Sequence, residues 1–365
     1  MKLGIIGLPN SGKTALYNAL TAQDAETTTY PNPASDEPRV GTVKVPDERI
    51  DRLSAIFKPR KTVYADVTCL DITGFAAGIS ASRQKTSLFN QLWEADAVIH
   101  VVRAFEDESV SHPEETIDPL RDAQALELEL VFHDLELAET RLERIALSMK
   151  KGVGEEFKAE QAALEKCRAQ LEEEKPLRNL NLSDAERVAI GSLMFASIKP
   201  ELVVLNIGEG EIKSPKTRSQ VDALRKYYSG KDALVFALSA EIEMEISQLE
   251  PEEAKAFLED LGIEEPAKNR VIREAYELQG LISFFTVGED EVRAWTIRKD
   301  TTALKAAGKI HSDIERGFIK AETIGYDDFM AAGTMAAAKE KALLRLEGKD
   351  YVVQDGDIVN FRFNV

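Results

Sequence analysis

At 365 residues, 44% of them hydrophobic and with no low-complexity tract, the chain is long enough for two or three cored domains and too apolar for a disordered protein. A formal net charge of −18 argues against a broad, non-specific grip on nucleic acid, which needs a basic footprint. Two cysteines, Cys69 and Cys167, lack metal-ligand spacing; they exclude a disulfide scaffold and suit a reducing, cytoplasmic setting. The charge is uneven. From Ile282 onward there are 12 Lys/Arg against 14 Asp/Glu, so nearly all the excess lies upstream, and any contact with RNA belongs to the C-terminal segment.

The chain opens on a short apolar run, 3–6, that leads straight into a glycine-rich motif; it reads as a buried strand rather than a signal peptide. Further strand-like runs at 67–72, 97–102 and 202–205 alternate with turns and helical patterns, as in an α/β domain with a mostly parallel sheet. Nowhere does an apolar run approach the roughly 20 residues that span a bilayer, so no membrane partner is expected. Between about 119 and 197 the period changes. Leu128, Val131, Leu135, Ala138, Leu142, Ile145 and Met149 alternate in steps of three and four, one stripe of a long helix. Phe157, Leu164 and Leu171 then recur every seven residues, which predicts an antiparallel helical hairpin with a coiled-coil-like seam. From about 282, short alternating segments surround a helical piece at 302–310, a small strand-rich domain. Within it Trp295, Phe361 and Phe363 read as core rather than as stacking platforms.

The expected organisation is therefore a nucleotide domain at 1–118 and 198–278, a helical insertion at 119–197, and a C-terminal domain at 279–365. Its strongest motif is Gly7-Leu8-Pro9-Asn10-Ser11-Gly12-Lys13-Thr14, a full GxxxxGK[ST] between a strand and a helix that begins near Ala15. Glycines there let backbone N–H groups from Asn10 to Ala15 converge on phosphate oxygens; Lys13 reaches the β- and γ-phosphates, and the Thr14 hydroxyl ligates Mg²⁺. Asp71-Ile72-Thr73-Gly74 ends the 67–72 strand, where a carboxylate holds the Mg²⁺ shell. Asn206-Ile207-Gly208-Glu209 stands where a GTPase carries Asn-Lys-x-Asp, and Ser239-Ala240 where the last base-contacting loop falls. Ile207 replaces the lysine and Glu209 the aspartate, one methylene too long for the guanine donors, so selectivity for GTP over ATP is expected to be weak.

These motifs resemble the YchF family, the Obg-like ATPases, over essentially the whole chain. The stretches Leu261-Gly262-Ile263-Glu264-Glu265-Pro266, Gly317-Phe318-Ile319-Lys320-Ala321-Glu322 and Phe361-Arg362-Phe363-Asn364-Val365 carry it further. The resemblance implies a GTPase-type P-loop domain that prefers ATP, an inserted helical hairpin, a C-terminal TGS domain of β-grasp fold, and ribosome association with a regulatory role in translation or stress. It implies an apolar residue, here Phe75, in place of the water-positioning glutamine, and hence slow hydrolysis. Asn10 matches an asparagine that either holds K⁺ against the phosphates or satisfies loop backbone groups. His112 aligns with a family histidine that either approaches the γ-phosphate as a catalytic group or is an ordinary loop residue. Two segments depart from the family. Residues 30–38 lack the first-switch threonine, leaving Ser35 as substitute, and 81–86 lack the glycine-rich run of the second switch. Besides a slow ATPase, a nucleotide-dependent binding module with little hydrolysis and a GTPase are the readings to separate.

Overall fold

A computed structural model describes residues 1–23, 38–72, 74–75, 85–151, 155–230 and 232–364. The first compact unit takes 1–43 and 68–271 and the second takes 44–67 and 272–365. Both switch departures, with Ser35, fall largely outside the described residues, as does Thr73.

In chain order the elements begin β1 (Lys2–Ile6), α1 (Lys13–Thr21), β2 (Arg39–Lys44), α2 (Glu48–Phe57), β3 (Lys61–Val63) and β4 (Asp66–Asp71). They continue α3 (Lys85–Trp93), β5 (Ala97–Arg103), α4 (Pro119–Lys150), α5 (Lys158–Glu172), α6 (Asp184–Ile190) and β6 (Glu201–Asn206). Next come α7 (Pro215–Tyr227), β7 (Ala233–Leu238), α8 (Ala240–Gln248), α9 (Pro251–Leu261) and α10 (Ala267–Leu278).

The sheet of the first unit has the order β2-β4-β1-β5-β6-β7. Its central pairs, β1 with β4 and β5, β5 with β6, and β6 with β7, are parallel. Near-continuous apolar composition is what a strand covered on both faces requires, and β5 and β6 are buried along their whole length. The carboxyl ends of β1, β4 and β6 therefore lie along one edge, where an open parallel sheet binds ligands.

α4 starts because the Asp118 side chain accepts from the Arg121 N–H and Pro119 needs no partner at the first position. The predicted stripe is its buried face: Val131, Ala138 and Ile145 pack with Leu164, Cys167 and Leu171 of α5. Polar groups hold the hairpin's root. Asp134 accepts from the Ala196 and Ser197 N–H groups at 2.8 Å each. Arg178 pairs with Glu127 at 2.7 Å and with Glu201 at 2.5 Å, and Glu201 also meets His100 at 2.8 Å. Among the described residues no helix is long and apolar enough to cross a membrane.

The second unit adds β8 (Leu281–Val287), β9 (Glu291–Arg298), α11 (Ala303–Ile310), α12 (Ser312–Arg316) and β10 (Phe318–Gly325). It closes with α13 (Tyr326–Ala332), α14 (Met335–Glu340), β11 (Arg345–Glu347) and β12 (Asp357–Phe363). A β8–β9 hairpin, a helix packed on it, and β12 running parallel to β8 give the β-grasp arrangement. The predicted strand at 351–353 is only an isolated bridge from Val352 to Thr302. Phe361 is core as expected, whereas Phe363 is 45% exposed at the strand's end.

Residues 44–67 depart from the expected boundary. The sequence places them in the nucleotide domain, but β3 pairs in parallel with β9 through Lys61↔Glu291 and Val63↔Arg293. Arg49 pairs with Asp355 at 2.7 Å, and the Phe57 ring stacks on Phe329 with centroids 5.5 Å apart. These partners are more than 200 residues away in sequence, beyond the reach of any local pattern.

Candidate functional site

The loop between β1 and α1 is shaped by backbone that only glycine adopts freely. Gly12 has φ +90°, and a Cβ there would meet Asn206 Nδ2 at 2.1 Å. Gly12 also caps α1 without any side-chain hydrogen bond, so nothing from the N-cap occupies the first-turn N–H groups of Lys13, Thr14 and Ala15. Free amides at the positive end of a helix form an anion cradle. Lys13 lies in it, with Nζ donating to the Leu8 carbonyl at 2.8 Å. Burial lowers its pKa to about 8, opposed by the charge of Asp71.

The structure brings Thr14 and Asp71 together. Thr14 Oγ1 donates to Asp71 Oδ2 at 3.1 Å. Asp71 is buried, which raises its pKa, while Lys13 and the Thr14 hydrogen bond pull the other way. Among the described residues its Oδ1 is buried without a hydrogen-bond partner. A hydroxyl and a carboxylate with one uncommitted oxygen are hard donors that fit Mg²⁺, which takes few protein ligands and completes its shell from phosphate and water. Among the described residues no cluster of three or more His, Cys, Asp or Glu could hold a metal by itself.

The second loop is braced to the first. Asn206 Nδ2 donates to the Ser11 carbonyl at 3.0 Å, and its Oδ1 accepts from the Ala240 N–H at 3.0 Å. Asn206 thus ties the glycine loop to the start of α8. Ser239 caps that helix, its hydroxyl accepting from the Ile242 N–H at 3.4 Å, and Ala240 is buried beside it. Glu209 is exposed in a short 3₁₀ turn, Glu209–Glu211. Ile207 requires a correction. Its side chain packs with Val102, Ala104 and Leu205, and its N–H donates to Leu238, so both belong to the core rather than to a base cleft. An apolar residue where lysine is usual folds inward because burial favours it.

Asn10, at φ +61°, donates Nδ2 to the Ser111 carbonyl at 3.0 Å, the backbone-satisfying use of the two expected. Phe75 is fully buried, edge-on to Phe89 with centroids 5.6 Å apart, so its own side chain is apolar and turned into the core. His112 lies 2.9 Å from Asp122, both side chains 5% exposed. Sequence reasoning passed over Asp122 and Arg103; Arg103 ends β5 and donates to the carbonyls of Phe105, Asp107, Val110 and Ser111. A basic residue ending an apolar strand before a polar loop was the available signal.

A parallel sheet with a glycine cradle, an adjoining Lys–Thr pair and a buried strand-end carboxylate defines a P-loop nucleotide-binding protein of the GTPase type. A family model described as "50S ribosome-binding GTPase" matches residues 2–133, and the YchF-GTPase_C model, described as "Protein of unknown function (DUF933)", matches 281–364. The chain is 43% identical over 364 residues to the ribosome-binding ATPase YchF of Bacillus subtilis, covering 99% of each. It is 40% identical over 365 residues to that of Escherichia coli O157:H7, covering 100% of this chain and 99% of the relative. The structure of the Schizosaccharomyces pombe YchF GTPase superposes with a TM-score of 0.83 at 33% identity, covering 99% of this chain and 97% of that one. The chain belongs to the YchF family.

Proposed function

We propose that the protein is a slow, Mg²⁺-dependent P-loop ATPase of the cytoplasm whose bound nucleotide gates association with the ribosome, regulating translation or a stress response. The observation that carries this reading is the meeting of Thr14 and Asp71 beside Lys13 at the open start of α1. In it, Asn10 to Ala15 wrap the β- and γ-phosphates, Lys13 exchanges its hold on the Leu8 carbonyl for phosphate oxygens, and Thr14 and Asp71 hold the Mg²⁺ shell. Bound Mg²⁺ would neutralise charge that builds on the phosphates. His112 acts at the γ-phosphate once its loop moves. Asn206, Ser239, Ala240 and Glu209 frame the base, and without an aspartate to take the guanine donors ATP binds at least as well as GTP. The same asparagine that ties Ser111 is the residue for a K⁺ beside the phosphates, tested by exchanging K⁺ for Na⁺ in the assay.

A specific observation favours a second reading, a nucleotide-dependent binding module with little turnover: Phe75 is locked in the core. Single-turnover hydrolysis separates the two, and competition between ATP and GTP disposes of a conventional GTPase. Co-sedimentation with ribosomes in each nucleotide state tests the partner; equal recovery with ATP, ADP and no nucleotide would contradict gating.

A further inference from the structure

The loop from Ala104 to His112 is held from three sides. Arg103 gathers four of its carbonyls, the shortest to Val110 at 2.9 Å, and Asn10 reaches in from the glycine loop to Ser111 at 3.0 Å. The third hold is on His112 itself. The Glu114 N–H lies 3.1 Å from His112 Nδ1. An N–H only donates, so Nδ1 is the acceptor and the ring's proton sits on Nε2. That nitrogen faces Asp122 Oδ2 at 2.9 Å, oblique to the N–H direction, so proximity and charge hold the pair more than a linear hydrogen bond. Arg121 steadies the carboxylate from its other oxygen, donating to Oδ1 at 2.9 and 2.7 Å. His112, Asp122, Leu8 and Ser11 line one small cavity behind the glycine loop.

In this arrangement neither ring nitrogen is available. Nδ1 has given its lone pair to the Glu114 N–H, and Nε2 is covered by the Asp122 carboxylate 2.9 Å away. An imidazole so held neither takes a proton from an attacking water nor donates one to a phosphate oxygen. We propose that Asp122 is a positioning residue: a latch that keeps the His112 ring against the root of α4 and off the phosphates, so that hydrolysis waits for this contact to open. The proposal deepens the role given to His112 above and rests on it. Asp122 belongs to the first turn of α4, so the latch is anchored at the root of the helical insertion and not in the loop that carries the histidine.

The test is single-turnover ATP hydrolysis by wild type, Asp122→Ala, His112→Ala and the double variant, with long-range proton–nitrogen spectra of the imidazoles as second readout. Asp122→Ala should raise the rate constant about fivefold, the population released by losing one modest charge contact, with ATP affinity unchanged. The gain should vanish in the double variant, and the His112 ring signals should shift as the ring leaves the carboxylate. Asp122→Asn, which keeps the shape and weakens the charge, should fall between. A slower Asp122→Ala that remains folded by circular dichroism overturns the latch, because the carboxylate would then be activating the histidine. Unchanged rate and unchanged spectra in both Asp122 variants overturn it as well. An unchanged rate in His112→Ala alone removes the histidine's role and sinks both readings.

Discussion

Asn206 reaches from the end of β6 to the carbonyl of Ser11 at 3.0 Å, joining two loops that lie 195 residues apart in sequence. Its other amide atom takes the Ala240 N–H, so one buried side chain sets the spacing of the phosphate loop and the loop that begins α8. Asn206→Ala leaves a buried carbonyl and a buried N–H without partners. Stability should fall by roughly 1–3 kcal/mol, the range for orphaned buried groups. Nucleotide affinity should fall with it, read by urea denaturation and by calorimetry on the same preparations.

Gly12→Ala attacks the same joint from the other side. A methyl group at φ +90° is strained, and it would sit 2.1 Å from Asn206 Nδ2, so the asparagine must leave the Ser11 carbonyl. The variant should lose nucleotide binding while keeping its far-ultraviolet circular dichroism. Affinity within twofold of wild type would show that the cradle tolerates the displacement.

The second unit should need residues from both parts of the chain. A fragment of residues 279–365 lacks β3, which pairs with β9, and lacks Ile50 and Leu53 of α2, both fully buried. It also uncovers an edge strand, a template for aggregation. Expressed alone it should aggregate or melt without cooperativity, while a fusion that adds residues 44–67 should unfold in one transition. A cooperative melt of the shorter fragment, equal to that of the fusion, contradicts this assignment.

Asp134 provides a pH dependence. Burial raises its pKa to about 7 from an ordinary 3.8, although Ala196 and Ser197 donate to it. Between those values the folded protein holds a proton that the unfolded chain has released, so the group's contribution to stability is full near pH 4 and declines as pH rises to 7. The stability difference between wild type and Asp134→Asn should shift against wild type across that window, by at most about 1.4 kcal/mol per pH unit. A difference independent of pH would mean that the donors from 196 and 197 keep the carboxylate ionised throughout.

Much of this was legible because the relevant patterns are local. The run into Gly7, the spacing of Gly12, Lys13 and Thr14, and the period from Val131 to Ile145 each lie within one element, where side-chain period reports burial. The membership of 44–67 was not, because its evidence is the pairing of Lys61 with Glu291 and of Arg49 with Asp355. Ile207 misled for another reason. Its position in a base-reading motif suggests a contact, but an isoleucine there is drawn into the core cluster with Val102. Asp122 carries no motif of its own; only folding brings it to His112.

The most direct test of the central claim is calorimetric titration of ATP with Mg²⁺ into wild type, Lys13→Ala and Asp71→Asn. Lys13→Ala removes a desolvated buried cation, so the apo fold should remain intact, and Asp71→Asn keeps a partner for the Thr14 hydroxyl while removing the charge. Wild type should bind ATP at least as tightly as GTP, Lys13→Ala should lose most of that affinity, and Asp71→Asn should lose the part that depends on Mg²⁺. Folded variants that bind MgATP as wild type does would contradict the assignment of Lys13, Thr14 and Asp71 as the nucleotide site.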